Sequence, residues 1–256
     1  MRYTWVKRDK YQKAGKQLDK DSTVQIAEKT VDVALALLEE TDEFINISKY
    51  EPEEETLYIR DSPIVQIESS DGIIKAIAPD IRGEMKSGIT IWIEVKDKSQ
   101  RAFYPDTGCD IHQFIGFWNI NKYLKEPVLM MFIDPSPEDI GFPPKLKGSK
   151  KTDYIQRLKK FRIGEVPVFY GNWLSVLSKY EVATQYPLCC HERSRTIPMQ
   201  IVYFEISKMK RLGASREIQT LLKDAQIYAE MPTFQLFDKN ENKVVNDSSF
   251  YFHGGS

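Results

Sequence analysis

The run Ile89-Thr90-Ile91-Trp92-Ile93-Glu94-Val95-Lys96 constrains this chain more than any other stretch. Its β-branched and aromatic residues favour a strand. Three consecutive large apolar residues, Ile91, Trp92 and Ile93, leave neither face of that strand polar. A strand that is apolar on both faces belongs in the middle of a sheet covered on both sides. The same run nevertheless ends in Glu94 and Lys96. Side chains two apart share a face, so these two charges stand together while Val95 points the other way, into the core. Charges at the end of a central strand need a reason.

The flanking elements place that strand in a mixed α/β domain. Ser22-Thr23-Val24-Gln25 has a capping-box pattern. Val24, Ala27, Val31, Ala34, Leu35 and Leu38 follow at helical spacing, which predicts an amphipathic helix ending near Glu40. Strand-like runs follow at 44–47, 57–60, 64–68 and 73–81, with turn signals at Asp71-Gly72 and Ser87-Gly88. Together with 89–96 they read as an antiparallel meander. A helix is expected at about 110–124, ended by Pro127, and a buried strand at 128–133. Strand, helix, strand is a crossover unit, so strands 89–96 and 128–133 are expected to be parallel. Later runs predict a strand at 166–170, a helix capped by Asn172, a strand at 199–204, a helix at 215–230 and a hairpin at 234–245. The expected division is a basic leader at 1–21, a core at 22–212 and a small C-terminal helix–hairpin appendage at 213–256.

Composition excludes several classes. Lys+Arg number 36 against 37 Asp+Glu, so any basic surface must be local. No apolar run approaches the roughly 18 residues of a membrane span, so no membrane partner is expected. Three cysteines, Cys109, Cys189 and Cys190, do not suggest a disulfide framework. A reducing, cytoplasmic setting is the simpler expectation. Cys189-Cys190-His191 lacks zinc-ligand spacing and reads as two small apolar residues beside a loop. There is no HExxH, GxSxG, GxGxxG or Walker loop.

The chemistry concentrates at one hairpin. Asp80 and Glu94 are equidistant in sequence from Ser87. A regular hairpin turning there sets them nearly opposite, with Cβ atoms about 5 Å apart. Two such carboxylates repel unless a cation or proton intervenes, and a hard divalent cation with oxygen ligands resolves the conflict. Lys96, on the same face, can neutralise a developing anion or hold a water. Two carboxylates, a lysine and a hard metal suit phosphodiester hydrolysis. A solvated hairpin face carrying a weak ion pair is the plainer alternative.

Pro79-Asp80 followed by Glu94-Val95-Lys96 resembles the PD-(D/E)xK nuclease superfamily, whose fold is the restriction-endonuclease-like core. The resemblance covers about 22–204, with a helix before the motif and a helix and strand after it. It implies a mixed β-sheet flanked by helices, Mg²⁺ (or Mn²⁺) held by Asp80, Glu94 and the Val95 carbonyl, and Lys96 as the catalytic lysine. It also implies a glutamate from the first helix, for which Glu28 is the best match; its place one residue after the apolar stripe fits solvent exposure equally well. Gln113 matches a glutamine that some members carry on the helix after the motif, but Phe117 stands where they have tyrosine, which puts the exonuclease-like branch in doubt. Pro105-Asp106 follows the Glu-x-Lys element, out of the usual order, and reads as a helix start.

The resemblance implies DNA as partner and a metal-dependent DNA endonuclease as function. A type II restriction role and a structure-specific repair or recombination role both fit. A catalytically silent DNA- or protein-binding member of the fold is the alternative, weakened because Asp80, Glu94 and Lys96 are all intact. Double-strand cutting by one site per chain would favour a homodimer. Lys98 and Arg101, just past the motif strand, and the lysine loop with Lys147, Lys150 and Lys151 are the expected phosphate contacts.

Overall fold

The structure, a computed structural model, describes residues 20–54, 57–59, 62–70, 72–101, 103–134, 146–178, 181–185, 199–230, 235–239 and 242–246. The expected leader at 1–21 therefore lies outside the described residues as far as residue 19. Lys20 and Asp21 already belong to helix α1 (Lys20–Glu39).

Strand β1 (Phe44–Lys49) follows α1. The chain then leaves the central sheet for β2 (Tyr58–Ile59), β3 (Ser62–Ser69) and β4 (Gly72–Ile77), which form a three-stranded sheet of their own. It returns as β5 (Ile81–Met85) and β6 (Thr90–Asp97). β1 pairs antiparallel with β5, and β5 with β6. The expected meander is thus three central strands with a folded excursion between the first and second. The run 73–81 is two strands, broken at Ala78-Pro79-Asp80 where the chain crosses from one sheet to the other. Proline has no N–H to give a ladder, which suits it to that crossing.

The β5–β6 register is set at a tight turn. Gly88 takes φ +82° there, and its N–H donates to Met85 O at 2.8 Å. Glycine adopts this conformation without steric cost. Residues Ile81 and Ile93, Arg82 and Trp92, Gly83 and Ile91 lie opposite one another.

After β6 come β7 (Asp106–Asp110), helix α2 (Ile111–Asn119), a π-helical turn (Ile120–Leu124) and β8 (Val128–Ile133). β8 pairs parallel with β6, from Trp92–Val128 to Asp97–Ile133, as the crossover predicts. β7 was not foreseen, and Asp106 begins this strand, directly after Pro105, where a helix start was expected. Helix α3 (Ser149–Lys160) occupies part of the expected lysine loop, of which 135–145 lie outside the described residues. The short strands β9 (Arg162–Ile163) and β10 (Val166–Pro167) pair with each other. β11 (Tyr170–Trp173) leads into the one-turn helix α4 (Leu174–Leu177). Asn172 is therefore buried in a strand and does not cap the helix; its side chain donates to Lys208 O at 2.6 Å.

The remaining elements are β12 (Glu181–Gln185), β13 (Met199–Glu205), β14 (Lys210–Arg211), helices α5 (Ser215–Leu222) and α6 (Ala225–Glu230), and the hairpin β15 (Gln235–Asp238) and β16 (Lys243–Asn246). Cys189-Cys190-His191 lies outside the described residues. The central sheet runs β1-β5-β6-β8-β11-β14, and a second sheet runs β16-β15-β12-β13-β7. The architecture is mixed α/β, a mixed sheet flanked by helices.

Both faces of the central sheet are covered, as its apolar strands require. One face carries Trp92, Met130 and Phe132 and packs on α2 and β13 through Phe114, Phe117 and Phe204. The other carries Ile91, Ile93 and Val95 and packs on α1 through Ala34, Leu37 and Leu38. Ile218, Leu221 and Leu222 of α5 enter that second core. β15 pairs parallel with β12. Among the described residues after 213, α5 thus joins the core of the central sheet and β15 joins the second sheet. Among the described residues no helix is long and apolar enough to cross a membrane.

Candidate active site

The register of the β5–β6 hairpin, continued one residue past Ile81–Ile93, sets Asp80 opposite Glu94. The contacts agree. Asp80 Oδ2 accepts a hydrogen bond from the Val95 N–H at 2.8 Å, and its carboxyl lies within hydrogen-bonding reach of Glu94. Lys96 Nζ forms an ion pair with Glu94 Oε1. Glu94 is 2% exposed, although it is an acid. The backbone of Asp80 is fixed as well, since its carbonyl accepts from the Tyr50 N–H at 2.9 Å.

Two acids here share one ammonium. Burial, and next the charge of Asp80, push Glu94 up to about 8 against the pull of Lys96. Burial likewise raises Asp80, opposed by Lys96, the Val95 N–H, Glu94 and Lys49. Burial works to lower Lys96, but Glu94 and Asp80 outweigh it and hold the ammonium above its ordinary range. The shift of Lys96 corresponds to ionised acids, and that of Glu94 to a protonated one. Both follow if the carboxyl pair as a whole retains one proton while Lys96 stays charged.

A divalent cation would displace that retained proton, because metal ligands bind deprotonated. Mg²⁺ keeps several waters and is bound by one or two carboxylates plus substrate phosphates, without a full protein cage. Asp80 and Glu94 supply two hard oxygen donors. The N–H and C=O of one strand residue face the same edge, so the Val95 carbonyl faces the edge where β5 has not yet begun. Among the described residues no group of three or more acidic, histidine or cysteine side chains gathers as a metal cluster. The donor set fits Mg²⁺ and does not fit a closed zinc site.

Further groups surround the trio. Lys49, at the end of β1, acts electrostatically on Asp80 and pairs with Asp32 of α1 at 2.6 Å. Lys98 continues the Glu94–Lys96 face, and burial lowers its ammonium against the pull of Asp110. Cys109 is a free buried thiol that burial pushes up to about 12, against Lys96 and Lys98. β7 thus closes over the end of β6. Lys49, Cys109 and Asp110 were not foreseen. Lys49 could have been found from its place at the end of the strand before the motif, whereas β7 has no β-prone run to announce it.

The expected site residues separate into two sets. Asp80, Glu94, Val95 and Lys96 are brought together. Gln113, half-buried in the first turn of α2, lies in the layer on the face of the trio, with no hydrogen bond linking it to them. Glu28 is exposed on α1, and α1 packs on the opposite face, the one that carries Val95; no hydrogen bond or ion pair joins Glu28 to the trio. The acid of α1 that is tied to this region is Asp32, through Lys49.

Of the expected phosphate contacts, Arg101 is half-buried and tied to a buried acid. Its Nε and Nη2 donate to Asp106 Oδ1 and Oδ2, each at 2.5 Å, and Asp106 is fully buried. The guanidinium also lies 3.7 Å from the Tyr203 ring centroid and 4.4 Å from that of Tyr104. Lys147, Lys150 and Lys151 are exposed, the last two in the first turn of α3 and not in a loop. α3 is held to the segment after β6, because Arg157 Nη2 donates to Arg101 O at 3.4 Å. Comparisons with family models, with curated proteins and with solved structures found no match for this chain.

Proposed function

We propose that this chain is a Mg²⁺-dependent DNA endonuclease of the PD-(D/E)xK type with a restriction-endonuclease-like core. One observation carries the reading: Asp80 and Glu94 oppose each other across a hairpin, and Lys96 joins them on the same buried face. An exposed ion pair has little energetic consequence, but a buried excess of acid is costly unless something compensates it. The order of elements supports the same reading. A helix, three antiparallel strands, a helix and a parallel strand surround the trio.

The residues divide the work. Asp80 and Glu94, with the Val95 carbonyl, would hold Mg²⁺ or Mn²⁺. The ion would supply Lewis-acid polarisation of a phosphoryl oxygen and activation of water. Lys96 carries a fixed positive charge beside the reacting phosphate, where it stabilises charge that develops in the transition state and orients the attacking water. Its pairing with Glu94 holds the ammonium in place before substrate arrives. Lys98 extends the positive edge. Gln113, on the face of the trio, stays in the proposed site. The exposed Glu28, across the sheet, gives no structural reason to include it. A homodimer would place two such sites on the two strands of a duplex, and a reducing compartment suits the free Cys109 thiol.

The test is incubation of the purified protein with plasmid, single-stranded and branched DNA in Mg²⁺ and in EDTA. Metal-dependent cleavage of any of these supports the reading. Discrete plasmid fragments would indicate restriction, and junction-selective nicking would indicate repair or recombination. No cleavage of any substrate would favour a binding protein of the same fold.

A further inference from the structure

The segment that leaves the site after Lys98 returns to it at Cys109 and Asp110. Phe103 and Tyr104 lie at the far end of this excursion, 45% and 51% exposed. Large aromatic side chains usually gain by burial, and these two stand exposed on a segment whose two ends reach the proposed nuclease site. Their surroundings are cationic. Arg101 stacks under Tyr104, with Lys239 Nζ 6.0 Å from the same ring centroid, and Lys150 Nζ is 5.9 Å from the ring of Phe103. Arg101 is itself anchored to the buried Asp106, so the Tyr104 ring rests on a fixed support. The Arg157 bond to Arg101 O joins the basic helix α3 to the same surface.

We propose that Phe103 and Tyr104 form a base-stacking platform for a single-stranded segment of DNA leading into the Asp80–Glu94–Lys96 site. This rests on the nuclease reading and deepens it by naming the substrate class. Proteins that hold single strands combine aromatic faces for the bases with a positive groove for the backbone. In an uninterrupted duplex the base faces are stacked on one another and closed to a protein ring, so this surface gains nothing from a plain duplex. It gains from a flap, a gap, a fork or a free strand. Its reach is suitable. Cys109 stands five positions after Tyr104, at most about 18 Å of extended chain, or about five nucleotides of a stacked strand. The platform therefore favours the structure-specific form of the nuclease over one that cuts continuous duplex.

The experiment is fluorescence anisotropy of the full chain with an oligothymidylate and with a blunt duplex of the same length. Ca²⁺ replaces Mg²⁺ so that cleavage does not interfere. Wild type is compared with Phe103→Ala, Tyr104→Ala and the ring-retaining Tyr104→Phe, each checked for an unchanged circular dichroism spectrum. Each alanine variant should weaken oligothymidylate binding about tenfold, leave duplex binding within about twofold, and Tyr104→Phe should bind like wild type. Equal losses on both DNAs, or no loss on either, overturn the platform while leaving the nuclease reading intact. Wild type that binds neither DNA and cuts none in Mg²⁺ overturns both.

Discussion

The Asp80 carboxylate accepts the Val95 N–H at 2.8 Å, and that contact joins the residue before β5 to the far end of β6. It aims one Asp80 oxygen at the backbone, while the carboxyl stays within hydrogen-bonding reach of Glu94. A single residue thus holds the hairpin end in register and supplies half of the carboxyl pair.

These two roles can be separated. Asp80→Asn retains an oxygen that accepts from Val95 but removes the charge. The variant should fold with near-native stability and bind Mg²⁺ at least about tenfold more weakly, since one of two anionic ligands is gone. Isothermal titration calorimetry and denaturant unfolding measure the two quantities. Unchanged Mg²⁺ affinity would count against a shared ion.

The raised carboxyl pair gives a pH dependence of definite sign. In the folded, metal-free protein Glu94 holds its proton to about 8, whereas an ordinary glutamate releases it near 4.5. The folded state thus binds more protons than the unfolded chain between these values, and stability falls as pH rises. The contribution is complete below 4.5 and lost through about 8. Every tenfold difference in proton affinity between the two states is worth about 1.4 kcal/mol. Lys96, raised above 10.5, acts only at higher pH. Thermal unfolding in EDTA should show a midpoint that falls between about pH 5 and pH 9, and Glu94→Gln should flatten that slope. A midpoint that rises over this range would contradict the assignment.

Arg101 should matter for folding, not for phosphate binding. Removing one partner of a fully buried pair costs about 3–5 kcal/mol; Arg101 is partly exposed to water, so the low end of that range is the upper bound here. Asp106→Ala should therefore destabilise the protein by about 1–3 kcal/mol in urea unfolding. Unchanged stability, with DNA affinity lost on Arg101→Ala, would return Arg101 to the DNA surface.

The exposed lysines should carry the salt dependence. Neutralising Lys147, Lys150 and Lys151 together should lower the slope of log K against log salt by about one for each lysine that contacts a phosphate. Binding isotherms over a salt series provide the measurement. An unaltered slope would move the DNA path elsewhere.

Much of the site was legible because it depends on short-range arithmetic. Ser87 lies midway between Asp80 and Glu94, Gly88 supplies the turn, and alternation puts Lys96 on the same face. The parallel partner at 128–133 followed from the crossover. What was not legible depends on long-range choice. Strand runs do not name their neighbours, so nothing in residues 57–77 indicated a separate sheet. β7 contains Gly108 and Cys109 with no β-branched run, and its pairing with β13 is set by residues about ninety positions away. In α3 only Tyr154 and Leu158 are buried, too few to mark a helix against its lysines. Asp106 looked like a helix start because its partner, Arg101, is recognisable only once the chain has turned between them.

The most direct measurement is Mg²⁺-dependent cleavage of DNA by wild type and by Lys96→Ala, with circular dichroism to show that both are folded. Wild type should cut in Mg²⁺ and not in EDTA. Lys96→Ala, with its metal ligands intact, should cut about 10²–10³-fold more slowly. Equal cutting by the two proteins, or cutting that persists in EDTA, would contradict the nuclease reading.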